Sequence, residues 1–279
     1  MDPLRSAVQK IIAQALAEDL GQGDITSEAV IPPEARFQGV MSARQEMVVA
    51  GLSMALEVFT TLAPQARVQA LASDGQLLPP GGQLARIAGP ARALLSAERT
   101  ALNLLQHLSG IATLTRAYVD RLAGTKAVLL DTRKTIPGLR ALAKYATRMG
   151  GAQNHRQRLD DGVLIKDNHI AVCGSLGEAV RRAQDAGLKS IEVECDTLEQ
   201  VAEALEAGVE RILLDNMDPA TLARAVALVG GQARTEASGG VNLETIAALA
   251  ASGVDFISVG RITQSAPAVD IGLDWSPEK

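Results

Sequence analysis

From Ala127 onward the chain repeats one rhythm, and that rhythm limits the fold more than any other feature. Strand-like apolar runs occur at 127–131, 162–167, 190–195, 211–215, 234–238 and 255–260. Helical patterns separate them, at 138–149, 175–187, 197–207, 218–229 and 242–252. The run starts lie roughly 20–35 residues apart, the size of a βα unit. Strands joined by helical crossovers run parallel, which predicts a parallel sheet or barrel. A complete barrel of this type has eight strands, so six imply an incomplete barrel or one with an atypical first segment.

The residues before Ala127 read differently. Positions 3–20 have helical spacing, with Leu4, Val8, Ile11, Ile12, Ala15 and Leu16 on one face. Short β-like runs follow at 37–43, 47–50, 68–72 and 84–88, with a helix expected from Leu52 to Leu62. A long helical region runs from Pro90 to about Leu122, with Gly110 as an expected break. This half is a mixed α+β domain, expected to cover 1–110. The barrel is expected over 111–269, and the tail 270–279 is expected to return to the first domain as a strand.

Composition narrows the function classes. The chain has 279 residues, and 47% are apolar while only 2% are aromatic. Its core must therefore be built from Ala, Leu, Val and Ile. A net charge of −5 and the lack of aromatic stacking platforms argue against nucleic-acid binding. No apolar run approaches the ~20 residues of a membrane span. The first residues carry charges throughout and show no signal-peptide core. Cys173 and Cys195 lack metal-ligand spacing, so a reduced, cytoplasmic setting is expected.

One stretch opposes the overall acidity. Between Asp131 and His169, Arg133, Lys134, Arg140, Lys144, Arg148, Arg156, Arg158 and Lys166 outnumber Asp131, Asp160, Asp161 and Asp167. Arg140, Lys144 and Arg148 have helical spacing and are read as a solvated helix face. Arg133, Lys134 and Lys166 follow strand ends, where parallel α/β folds bind ligands. A multiply anionic small ligand fits such a cluster.

Acids and glycines complete the pattern. In Ile191-Glu192-Val193-Glu194-Cys195 the side chains alternate, so both glutamates share a face and would point into a barrel. Glu192 reads equally as half of an internal ion pair. Glu194 could meet the basic groups, a metal or sugar hydroxyls. Asp215 ends the next run and could serve the same ligand or cap the following helix. Ser238-Gly239-Gly240 and Val259-Gly260 follow the last two runs, the usual phosphate position in βα barrels.

Taken together, EDLGQGDITS at 18–27, AERTALN at 97–103, DTRKTIPGLR at 131–140, NHRQRLDDGVLIKDNHI at 154–170, EVEC at 192–195, LLDN at 213–216, EASGGV at 236–241 and SVG at 258–260 resemble the quinolinate phosphoribosyltransferase family. The resemblance covers almost the whole chain. It implies an α/β protein with an N-terminal α+β sandwich, an incomplete, about six-stranded α/β barrel, and a homodimer with a shared active site, leaving higher assembly open. It also implies transfer of phosphoribosyl from phosphoribosyl pyrophosphate to quinolinate, with decarboxylation, in NAD biosynthesis. Matched residue by residue, Arg133, His155, Arg156 and Lys166 would hold the quinolinate carboxylates, with Arg99 reaching them from the other subunit. Lys134 would bind the pyrophosphate. Glu194 and Asp215 would serve the ribose and Mg2+. Ser238, Gly239 and Gly260 would hold the 5-phosphate. Gln264 stands where many members have His or Lys, a departure within the phosphate loop. The rival reading from another class is a non-catalytic sensor of a phosphorylated metabolite, which would need no leaving-group machinery.

Overall fold

The structure is a computed structural model and describes residues 3–275. It contains two compact units. The first comprises Met1–Arg116, Ile136–Gly151 and Ser265–Lys279; the second comprises Ala117–Thr135 and Ala152–Gln264.

The second unit holds the repeating half. Its parallel sheet has six strands, Val128–Leu130, Val163–Ile165, Ile191–Cys195, Arg211–Asp215, Arg234–Ser238 and Phe256–Ser258. In chain order these lie side by side as first, sixth, fifth, fourth, third and second. The open seam therefore falls between the first and second strands. A single parallel bridge from Leu130 to Gln153 lies on the seam side of the first strand. Four crossover helices follow the later strands: Leu176–Asp185, Leu198–Glu206, Pro219–Val229 and Ile246–Ala251. Ser175, Thr197 and Asp218 begin the first three with side-chain caps, and Pro219 occupies the first turn. Like Arg261–Gln264, the short helix Asp167–Cys173 was not expected. It buries no residue, so it leaves no apolar periodicity to read.

The expected helix between the first two strands is present as Arg140–Met149, but it belongs to the first unit. Its apolar face, Leu142, Ala143 and Ala146, joins that unit's core. Tyr145 Oη donates to Asp74 at 2.5 Å, and Asp74 also accepts from the backbone N–H groups of Gly51 and Leu52. Lys144, expected on a solvated face, is 1% exposed as a result. The seam and this diversion share one cause: the crossover helix that would cover the first two barrel strands is used elsewhere.

The first unit pairs four antiparallel strands in the order Ile271–Trp275, Arg36–Ala43, Gln83–Pro90, Arg67–Ala70. The tail returns as expected, with Ala43 opposite Ile271 and Gly39 opposite Trp275. The long helix Ala91–Asp120 is unbroken at Gly110. A Cβ there would stand 2.1 Å from the carbonyl oxygen of Pro267, so the glycine permits close backbone approach without ending the helix. The expected boundary at 110/111 consequently lies inside one continuous helix, six residues before the last residue of the first unit's opening segment, Arg116.

Candidate active site

The carboxyl ends of the six barrel strands surround a cavity of about 480 Å³. Lys134, Glu194, Asp215, Arg133, His155, Arg156, Lys166, Ser238, Gly239 and Gly260 all line it. Of the site residues named from the sequence, Arg99 alone belongs to the first unit, where it is exposed on the long helix beside Asp19, Asp24 and Ser96. The motif around it has a local purpose. Asp24 caps the helix Ile25–Val30 by accepting from Ser27 N–H at 2.9 Å, and it also accepts from the Ser96 hydroxyl.

The basic end of the cavity is held by buried polar struts. Asp131, fully buried at the end of the first strand, accepts from Asn154 Nδ2 at 2.6 Å and from His155 N–H at 2.9 Å. This fixes the 154–156 segment that presents His155 and Arg156. Arg156 Nη1 donates to the carbonyl of Gly162 at 2.9 Å. Burial, and then the nearby Arg133 guanidinium, pull the Arg156 pKa below its ordinary value. Arg133 Nε is buried with no hydrogen-bond partner among the described residues. Two close guanidiniums, one with an unsatisfied buried donor, form a site that an anion would stabilise.

His155 is engaged at both ring nitrogens. Its Nδ1 accepts from the Arg156 N–H at 2.8 Å, and its Nε2 lies 3.0 Å from Glu192 Oε2. A carboxylate bound by His155 must displace one of these partners. Lys166 and Glu194, expected to serve different ligands, form an ion pair with each other.

The phosphate end is built on close approach. Asn216 has φ +53°, and its N–H donates to the Ser238 carbonyl at 2.9 Å. Its side-chain amide donates to Asp215 Oδ2 at 2.6 Å. A Cβ on Gly239 would stand 2.1 Å from Asn216 Oδ1, so only glycine fits. A Cβ on Gly260 would stand 2.8 Å from Lys134 Cδ, and Thr263 Oγ1 donates to the Lys134 carbonyl at 2.6 Å. The lysine and the loop after the sixth strand are thus packed as one surface, with Gln264 on the cavity wall.

Beneath the cavity lies an ionic layer that the sequence only half disclosed. Glu192 is an internal ion-pair partner, with Oε1 3.1 Å from Arg211 Nε in addition to its contact with His155. Arg211 also pairs with Glu236, which is fully buried. Burial and the neighbouring Glu192 charge push Glu236 up to about 7. Glu192 is held below its ordinary value: His155 and Arg211 outweigh its own burial. His155, Glu192 and Glu236 bring three ligand-type atoms together, but Arg211 already ties both carboxylates, so this cluster is an ionic strut. Arg211 carried no motif signal. Only its position at the inward-facing start of a strand could have singled it out.

Two family descriptions match the chain in tandem: the quinolinate phosphoribosyl transferase N-terminal domain over residues 24–109 and the corresponding C-terminal domain over 111–274. The chain belongs to the quinolinate phosphoribosyl transferase family. Among relatives, it is 46% identical over 275 residues to the nicotinate-nucleotide pyrophosphorylase (carboxylating) of Mycobacterium leprae, covering 96% of this chain and 97% of that protein. It is 43% identical over 269 residues to a probable enzyme of the same name from Bacillus subtilis, covering 96% and 93%. The crystal structure of nicotinate-nucleotide pyrophosphorylase from Ehrlichia chaffeensis superposes with a TM-score of 0.93 at 42% identity, covering 96% of this chain and 98% of that one. The family's two-domain plan accounts for both folds seen here, an antiparallel-sheet domain and an incomplete barrel. No described helix is long and apolar enough to cross a membrane.

Proposed function

We propose that this chain transfers the phosphoribosyl group of phosphoribosyl pyrophosphate to quinolinate, releasing pyrophosphate and CO2 and leaving nicotinate mononucleotide for NAD biosynthesis. The observation that carries this reading is the Arg133–Arg156 pair, two close cations with a buried unsatisfied donor, in the same cavity as the glycine loops after the last two strands. The first suits a small dicarboxylate and the second a sugar phosphate.

Each residue then has a physical task. Arg133, Arg156 and Lys166, with His155, bind and orient the two carboxylates so that the ring nitrogen faces the anomeric carbon. Ser238, Gly239 and Gly260 offer backbone and hydroxyl groups to the 5-phosphate. Lys134 stabilises charge on the departing pyrophosphate. Glu194 and Asp215 supply the hard oxygen donors that Mg2+ takes beside substrate phosphates. When bound, the ion would neutralise leaving-group charge. Lys166 pairs with Glu194 Oε2, so Mg2+ or ribose bound through that oxygen would compete with Lys166 and release it toward a carboxylate. Attack makes the ring nitrogen cationic, and this cation stabilises the carbon left when the adjacent carboxylate departs. No covalent enzyme nucleophile is needed.

Arg99 is proposed to reach the cavity from a second copy in a homodimer; its side chain is exposed on the long helix. Mixed dimers of Arg99→Ala and Lys134→Ala subunits should then recover activity that neither variant shows alone, and verified heterodimers without recovery overturn the shared site. The free cysteines Cys173 and Cys195 support a reduced, cytoplasmic setting. The deciding experiment compares quinolinate with nicotinate, which lacks the carboxylate next to the nitrogen. Cations left unpaired by nicotinate should cost at least ~100-fold in catalytic efficiency, since tenfold is about 1.4 kcal/mol. Equal efficiency for nicotinate, or mononucleotide from quinolinate without CO2, rejects the assignment.

A further inference from the structure

The barrel has a second opening. At its amino-terminal mouth, where the strands begin, a cavity of about 350 Å³ is lined by Ser190, Glu210, Arg211, Arg234 and Phe256. It shares His155 and Arg156 with the active-site cavity at the other mouth. Arg211 stands at this entrance as the first residue of its strand, its guanidinium carbon 4.0 Å from the centre of the Phe256 ring. From there it reaches inward with both arms of its fork. Nε lies 3.1 Å from Glu192 Oε1, and Nη2 pairs with Glu236 Oε2. Those carboxylates in turn lie 3.0 Å and 3.8 Å from His155 Nε2. Glu192 also acts electrostatically on Arg156.

We propose that Arg211 is a positioning residue for the dicarboxylate subsite, acting from the far mouth of the barrel through Glu192 and Glu236 on His155 and Arg156. The inference rests on the function proposed above and adds a residue that touches neither substrate. Its physical basis is charge balance at short range. Two buried carboxylates under a site meant for anions would repel the ligand and draw its cations downward. Arg211 balances their charge from below, by an ion pair to Glu192 and a hydrogen bond to Glu236, so His155 keeps its orientation and Arg156 keeps its charge for the substrate. A planar fork can hold both carboxylates at once, which a lysine cannot. Arg211 enters from the amino-terminal mouth, whereas Lys134, Gly239 and Gly260 line the cavity at the carboxyl mouth, so the effect should fall more on quinolinate than on phosphoribosyl pyrophosphate.

The test uses the full-length enzyme and begins with wild type. If wild-type protein neither binds quinolinate by calorimetry nor turns it over, the proposed function fails, whatever Arg211 does. Given a wild-type signal, Arg211→Ala should raise the KM for quinolinate at least ~10-fold, as expected for truncating one partner of a buried charge pair. The KM for phosphoribosyl pyrophosphate should stay within about 3-fold, a shift under about 0.7 kcal/mol. Arg211→Lys should fall between Arg211→Ala and wild type. Millimolar guanidinium, which fits the lower cavity while substrates fill the upper one, should partly restore the quinolinate KM of Arg211→Ala and leave wild type unchanged. An unchanged quinolinate KM, an equal loss for both substrates, or no guanidinium rescue overturns the inference. If Arg211→Ala does not fold, Arg211→Lys decides by the same two KM values.

Discussion

The two units solve the interior problem in opposite ways. The first unit is filled with aliphatic and small residues: Leu94, Leu105, Leu108, Ile111, Leu84, Ile87 and Phe59 are each at most 1% exposed. The barrel interior instead buries Glu192, Glu194 and Glu236, with Arg211 and His155 among them. Apolar burial stabilises in proportion to area, at roughly 25 cal/mol per Å². A buried ion pair gains little net stability, because desolvation cancels much of the attraction. The contrast teaches a division of labour: the first unit supplies stability, and the barrel spends part of its interior on holding charge in fixed places. Ligand chemistry needs the second and cannot be built from the first.

Four measurements would break or sharpen that division. Phe59→Ala, in the apolar core, should lower stability by about 3–5 kcal/mol while leaving the KM of the folded fraction unchanged. A large KM effect at retained stability would show that the units do not divide the work. Lys134→Ala should do the reverse. Its side chain is exposed in the cavity, so thermal unfolding should be unaltered while kcat falls by about 3–4 kcal/mol of transition-state stabilisation. Near-normal turnover with saturating Mg2+ would remove Lys134 from the leaving-group role.

The third measurement concerns pH. Glu236 is pushed up to about 7 in the fold, above its unfolded value of 4.5. The folded state therefore holds the extra proton, and the stability it contributes is full below about 4.5 and is lost as pH rises through about 7. Between those values wild type should lose stability relative to Glu236→Gln, read as converging or crossing melting temperatures across the window. Parallel profiles would show that the buried carboxyl does not titrate there. The smallest effect is expected at the surface. Glu178, half-buried at the surface, pairs with the exposed Arg181 and Arg182. Glu178→Gln should leave the melting temperature within error at moderate salt, because exposed pairs are screened and entropically costly. A clear loss there, beside a small one at Glu236, would invert the comparison.

Much of this was legible in the chain itself. Six apolar runs at βα spacing determined the parallel sheet. The polar residues at their ends marked the cavity, and all ten barrel residues named from the sequence line it. Local rules suffice for those at strand ends: alternation sets which side chains point inward, and a strand's end sets which mouth they reach; His155 and Arg156 end no strand and are assigned through the family resemblance. Where a feature depended on another part of the chain, sequence reading erred or stayed open. The helix Arg140–Met149 has the same local pattern whether it covers the barrel or enters the other core, and only tertiary packing sent it to the latter and buried Lys144. Gly110 looks like a helix breaker until Pro267, far along the chain, is seen against it. Glu192 could be a ligand group or an ion-pair partner until Arg211 and His155 stand on either side of it. By itself the sequence determined the periodic architecture and the chemical inventory of the site, because both follow from short-range spacing. Only the tertiary structure decided which charges meet, because burial and pairing arise between residues that the chain keeps far apart.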